Sequence, residues 1–398
     1  MAEFYKKKLG NGLTVLFEKR NLPVISISST INFGSAFESK SQKGLSHFME
    51  HLMFKGTKTR SHEELVREVE KKGGILNAYT SEEVTSYWDK LPSNHWLSGL
   101  NISSDLILNP KFDAVEFERE KGVIIEEIKM YHDDPRSHVL NKIKELLYKK
   151  PFGMSVAGNE ENIRKATKAD ILKLFNKNYT TDSMILTAVG NIKFDEFCKE
   201  AEKLFPNKER DKISYIPLKI NKEETEKRKG IDQAHFVFGF HAPTLDDIKR
   251  YDYDIAGAYL FEGMSSVLFQ EIREKRALAY AVKGDFDLGR NYGYGMIYVG
   301  TMKDKINKIK EIILKEIKDV RNLQKKDFEE CKEQLIGQRK VEEEDSINTM
   351  NSLMMEEIGG DAKEYYNYNN RINSVKLEDV RSLARLKNFS TFSLVPAD

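Results

Sequence analysis

Cysteine is nearly absent from this chain: two residues in 398, Cys198 and Cys331. They lie far apart and neither has a C-x-x-C neighbour, so a disulfide framework and a cysteine-based zinc site are both excluded. Such a chain reads as one that stays in a reducing compartment. An excess of either charge is also lacking. With 64 Lys+Arg against 63 Asp+Glu the formal net charge is +1, which leaves no basic footprint for following a phosphate backbone and argues against nucleic acid as a partner. No apolar run approaches the roughly 18 residues of a membrane span. The first residues lead straight into a strand-like Gly12-Leu-Thr-Val-Leu-Phe17 with no apolar stretch of signal-peptide length. The expectation is a cytoplasmic protein without a membrane partner.

What is present is length enough for two cores of roughly 200 residues each. Between Lys219 and Gly230 eight of twelve residues are charged and Ile220 is the one large apolar side chain. Nothing there can be buried as a core element, which places a linker at 219–230 between domains at 1–218 and 231–398. The two halves have a similar order of elements by periodicity. In the first, a strand at 24–33 precedes helical patterns near 42–55 and 61–72 and strands near 75–81 and 84–91. In the second, a strand at 234–240 precedes helical patterns near 246–262 and 265–275 and strands at 279–287 and 292–301. Each half closes on a short apolar strand, at 184–189 and at 391–395. Strands bracketing runs of helices predict an α+β fold with two similar domains, each a mixed, mostly antiparallel sheet flanked by helices.

One stretch carries chemistry. Gly44-Leu-Ser-His47-Phe-Met-Glu50-His51-Leu-Met-Phe54 contains H-x-x-E-H. On a helix His47 and His51 are i and i+4, stacked on one face at the spacing that lets two imidazoles grip one metal ion. Glu50 shares the rim of that face without having to be a ligand. A catalytic zinc takes a third protein ligand, and the charged helical segment 116–130 offers Glu120 and Glu127, seven apart and on one face. Glu127 is the choice for the ligand and Glu120 for a carboxylate that orients a ligand histidine. By spacing alone Glu126 and Glu120 stay rivals for the third position. His132, near the end of the same helix, is a further candidate for a supporting role.

The order H-x-x-E-H, inverted from the commoner H-E-x-x-H, resembles the inverzincin signature of the pitrilysin and mitochondrial processing peptidase family of zinc metallopeptidases, in its short two-domain bacterial or archaeal form. In that family the third ligand is the second Glu of a pair spaced seven apart, some 75 residues beyond the motif; Glu127 follows His51 by 76 positions. The resemblance covers nearly the whole chain: Leu9-Gly-Asn-Gly-Leu13, Gly73-Gly-Ile-Leu-Asn-Ala-Tyr-Thr-Ser81, Gly158-Asn-Glu-Glu-Asn-Ile163, and Gly263 to Tyr280. Two departures touch local turns: Phe261-Glu262 precede Gly263 where relatives often have more glycine, and Ala277 stands where glycine is common. The glycine-rich tract of regulatory processing-peptidase subunits has no counterpart here.

The resemblance implies a zinc metalloendopeptidase with one zinc ion per chain, held by His47, His51 and Glu127, with Glu120 supporting a histidine and Glu50 as general base. It implies substrate contacts from the strand at Asn77, Ala78 and Tyr79, and from Arg273 and Tyr280, which bind substrate carbonyls and steady the oxyanion. Its substrates are peptides or unfolded polypeptides, hydrolysed in a chamber enclosed by a dimer, either a homodimer or a heterodimer with a paralogue. The alternative is a non-catalytic scaffold or partner subunit of a heterodimeric peptidase.

Overall fold

The computed structural model describes residues 3–397. In its first half the elements are β1 (Glu3–Lys8), β2 (Thr14–Lys19), β3 (Val24–Ile31), α1 (Leu45–Met53), α2 (His62–Glu70), β4 (Ile75–Thr80), β5 (Thr85–Pro92), α3 (Trp96–Leu108), α4 (Ala114–Asp133), α5 (Pro135–Leu147), α6 (Glu160–Lys165), α7 (Lys168–Asn178), β6 (Met184–Gly190) and α8 (Phe194–Leu204). The second half continues with β7 (Glu223–Arg228), β8 (Ala234–His241), α9 (Arg250–Leu260), β9 (Ala279–Leu288), β10 (Gly293–Thr301), α10 (Ile306–Asp319), α11 (Lys325–Glu342), α12 (Ser346–Gly359), α13 (Glu364–Ser374), α14 (Leu377–Ser382) and β11 (Phe389–Pro396).

Two mixed sheets flanked by helices result, as the patterning predicts. The first has strand order β1-β2-β6-β3-β5-β4 and the second β7-β11-β8-β10-β9. In each, one pair is parallel, β2 with β6 and β11 with β7, and every other pair is antiparallel. If β1 is set aside, the two sheets have the same order and the same directions, strand for strand. The repeat that element order suggests is therefore present in the topology.

Domain boundaries differ from the expectation. The predicted linker contains β7, which pairs in parallel with β11 from Thr391↔Glu223 to Pro396↔Arg228. Its polar sequence is compatible with a strand because β7 is at the sheet edge, where charged side chains stay in water and the backbone alone makes the pairing. The compact units are also discontinuous in sequence. One comprises Met1–Lys129, Ser155–Tyr215 and Glu342–Tyr365; the other Met130–Met154, Ile216–Val341 and Tyr366–Asp398. Within the first, α12 lies on β3 and β6. Its Ser346 hydroxyl meets that of Ser26 at 2.8 Å, and Arg20 Nη2 donates to Thr349 Oγ1 at 2.8 Å. This is why β3 is buried along both faces: Ile25, Ile27 and Ile31 enter the apolar core, Ser26 on the other face meets α12, and Thr30 bonds Ser86 of β5 at 2.8 Å. Within the second unit, α5 lies on β8 and β11 and buries Val139, Ile143, Leu146 and Leu147.

Each unit has its own core. The first gathers Phe17, Ile27, Phe48, Met49, Leu52, Leu100 and Ile124; the second Phe236, Phe238, Ile255, Ile272, Val299 and Ile313. Cys198 and Cys331 are buried free thiols. Among the described residues no helix is long and apolar enough to cross a membrane.

Candidate metal centre

Helix α1 is held by its first turn. Gly44 precedes it at φ +102, and a Cβ there would come 2.7 Å from the carbonyl oxygen of Ala157, so only glycine fits. The buried Glu38 carboxylate accepts from the backbone N–H of Gly44 at 3.0 Å and of Ser46 at 2.5 Å, which satisfies amides that a helix start otherwise leaves unpaired. Leu45, Phe48, Met49 and Leu52 anchor the opposite side in the core. His47, Glu50 and His51 remain on the other side.

The imidazoles of His47 and His51 have ring centroids 4.8 Å apart. Helix α4 brings the Glu127 carboxylate to both: its Oε2 is 3.7 Å from His47 Nε2 and 3.4 Å from His51 Nε2. These are the one group of three or more such side chains among the described residues that could hold a metal ion, with ligand atoms all within 4.8 Å of one another. A tetrahedral zinc ion with bonds of about 2.0–2.1 Å requires ligand atoms about 3.3–3.4 Å apart and takes two imidazoles and a carboxylate in catalytic sites. The residues present fit that ion.

The rival glutamates separate by position. Glu126 bonds Lys129 Nζ at 2.7 Å and its side chain is 73% exposed. Glu120 is buried, bonds His51 Nδ1 at 3.2 Å and accepts from Lys55 Nζ at 2.8 Å. It fixes the ring nitrogen of His51 that does not face Glu127, as a supporting carboxylate does. His47 Nδ1 is buried without a hydrogen-bond partner among the described residues, so only one of the two imidazoles is oriented in this way.

Burial, then the neighbouring His51, pull the His47 pKa down to about 4 against the attraction of Glu127, so its ring is neutral and its lone pair available. Burial also opposes charge on His51, but bonds to Glu120 and Glu127 outweigh it and push the pKa up to about 9. A metal ion binding there displaces that proton. Glu50 is raised above the usual carboxylate range by burial, although the Thr80 hydroxyl, which donates to its Oε2 at 2.5 Å, opposes the shift.

Thr80 and Lys55 are functional candidates that sequence reasoning missed. Thr80 alternates with Ala78 along β4 and so shares its face, and Lys55 follows His51 by one helical turn; both signals were present. β4 is the last strand of its sheet. Ala78 packs against the core, while Asn77 Oδ1 accepts from the N–H of Ala78 at 2.8 Å. Burial pushes the Tyr79 hydroxyl up to about 12, against a hydrogen bond with Ser86. His132 sits against Asp133 and Arg228, with its Nε2 3.3 Å from Arg228 Nη2, and bonds none of the candidate ligands.

Arg273 and Tyr280 belong to the second unit. Arg273 lies in a six-residue π-helical turn, Phe269–Glu274, where an ordinary helix is the expectation; its guanidinium is 4.8 Å from the ring centroid of Phe269. Turns of this kind recur at functional sites. Tyr280 opens β9 and is 46% exposed. Between them Ala277 has φ +47, the left-handed region that favours glycine and costs other residues about 1–2 kcal/mol. That is the physical content of the alanine noted at this position.

Residues 14–160 match the family model described as Insulinase (Peptidase family M16), a span that contains His47, Glu50, His51, Glu120 and Glu127. Residues 165–335 match the model described as Peptidase M16 inactive domain, which contains Arg273 and Tyr280. An uncharacterized zinc protease of Bacillus subtilis, YmxG, is 31% identical over 386 residues, 94% of this chain and 93% of that one. One from Rickettsia felis is 34% identical over 321 residues, 79% of this chain and 76% of that protein. A protease from Helicobacter pylori superposes with a TM-score of 0.93 at 20% identity, covering 99% of this chain and 100% of that structure, a likeness of fold. The shared length, the matched models and the inverted histidine motif lead to one assignment: the chain is a member of peptidase family M16, the insulinase family.

Proposed function

We propose that this protein is a zinc-dependent endopeptidase that hydrolyses unfolded or extended peptides. The observation that carries the reading is the single Glu127 oxygen lying 3.4 and 3.7 Å from the two facing imidazole nitrogens, with Glu50 on the same helix free of that set. In this reading His47, His51 and Glu127 hold one zinc ion per chain and Glu120 keeps His51 in place. Bound zinc supplies a Lewis acid that polarises the scissile carbonyl and acidifies water. Glu50, its carboxylate oriented by Thr80, accepts a proton from the attacking water and passes it to the leaving amine. Its raised pKa suits that exchange, because a base works best near the operating pH.

The outer edge of β4 receives the peptide by strand addition beside Asn77, Ala78 and Tyr79. Arg273 and Tyr280 bind substrate carbonyls and the charge that develops on them. The working form is a dimer, homodimeric or paired with a paralogue, that encloses the substrate. Mass-spectrometric mapping of a diverse peptide library, with zinc quantified in the same preparation, tests this. Internal cleavage of many extended peptides is expected. An untouched library in the presence of one zinc per chain overturns the reading in favour of a non-catalytic partner subunit.

A further inference from the structure

The edge strands of the two sheets close themselves in the same way. β4 and β9 are the last strands of their sheets and correspond in the repeat. The Ser81 N–H donates to the Val84 carbonyl at 2.8 Å and the Gly289 N–H to that of Tyr292 at 2.9 Å, so each hairpin closes on a hydrogen-bonded pair. Antiparallel pairs alternate between bonded and non-bonded, and a residue in a non-bonded pair turns both its N–H and its C=O away from the partner strand. Followed back along the register, Ala78, opposite Tyr87, and Phe286, opposite Gly295, fall in non-bonded pairs. Their amides therefore face the open edge. Each residue lies three positions before the one that closes its hairpin, and each packs its side chain against the core of its own unit.

An outward amide on an edge strand is the donor that an added strand takes. Both of these are already occupied. Asn77 Oδ1 accepts from the Ala78 N–H and Asp285 Oδ1 from the Phe286 N–H, each at 2.8 Å. A side chain that bonds the following amide competes directly with a ladder bond. We propose that Asn77 and Asp285 are edge guards: each holds an outward amide of its strand, and a peptide adding to β4 must first displace the Asn77 carboxamide from Ala78. The inference deepens the reading of β4 as the edge that receives substrate, and it rests on that reading.

The guard gives the edge a preference. Opening it gives up one hydrogen bond, while an incoming strand gains one at each outward group it reaches. Long extended segments therefore displace the side chain, and short ones do not. The two guards also differ in chemistry. A carboxamide has donors as well as an acceptor, but an ionised carboxylate has acceptors only and meets the carbonyls of an incoming strand unfavourably. Asn77 is thus the guard that opens and Asp285 the one that stays shut.

Amide hydrogen exchange and the binding of a long, labelled, unstructured peptide test this on the zinc-loaded Glu50→Gln protein. Asn77→Val keeps a strand-forming residue and removes the acceptor. It is expected to speed exchange at Ala78 and to tighten peptide binding, each by about threefold to tenfold, the net worth of one hydrogen bond. Asn77→Asp keeps the acceptor and charges it, which strengthens the bond, so exchange at Ala78 should stay slow and binding should weaken. Asp285→Val should speed exchange at Phe286 by the same factor. Unchanged exchange at either amide on removal of its acceptor overturns the guard on that strand. Faster exchange at Ala78 with unchanged or weaker peptide binding overturns the gating of β4 by Asn77. If saturating peptide also leaves Ala78 unprotected when Asn77 is present, the strand-addition reading of β4 falls with it.

Discussion

Glu50→Gln is expected to lower peptide cleavage by about 10²–10⁴-fold, the range for loss of a general base, while zinc content stays at that of the wild type. The two halves of this result have separate causes. Gln keeps the shape of Glu and still accepts a hydrogen bond from Thr80, which donates to Glu50 at 2.5 Å, so the local packing survives. It cannot take a proton from water. The loss corresponds to roughly 3–5 kcal/mol in the barrier. Zinc is retained because the donor set of His47, His51 and Glu127 does not include residue 50. Zinc retained with cleavage at the wild-type rate would remove Glu50 from the mechanism.

The second large effect distinguishes three glutamates on α4. Glu127→Gln should yield protein that loses its zinc on dialysis and is inactive, since it removes the carboxylate facing both imidazoles at 3.4 and 3.7 Å. Glu120→Gln should weaken zinc binding by about 10–100-fold, the usual consequence of removing a group that orients a ligand. Glu126→Gln should change neither quantity, because that side chain is 73% exposed and bonds Lys129. Zinc content and initial rates across the three variants check the order. A Glu126→Gln protein that loses zinc while Glu127→Gln keeps it would reverse the choice of ligand.

The candidate metal centre was readable in part because its spacing is local: i and i+4 on α1, and seven residues on α4, are fixed by helix geometry whatever surrounds them. The same holds for β3, β5, β8 and β10, whose apolar patterns set their place in the sheets. β7 was not readable, since Glu223–Arg228 has the composition of a solvated loop and becomes a strand only through backbone pairing with β11, more than 160 residues away in sequence. The discontinuous units were hidden for a related reason. Amphipathic α5 and α12 look like ordinary helices of their own halves, and nothing in a period of 3.6 residues names the sheet that will receive them.

All of this turns on whether metal held by His47, His51 and Glu127 is what cleaves peptides. The most direct measurement follows zinc per chain and the cleavage rate of a quenched extended peptide in one preparation, before chelation, after complete zinc removal, and through stepwise return of zinc. The predicted result is a rate that disappears with the metal and returns in proportion to it, saturating at one zinc per chain. A cleavage rate unchanged by complete removal of zinc would contradict it.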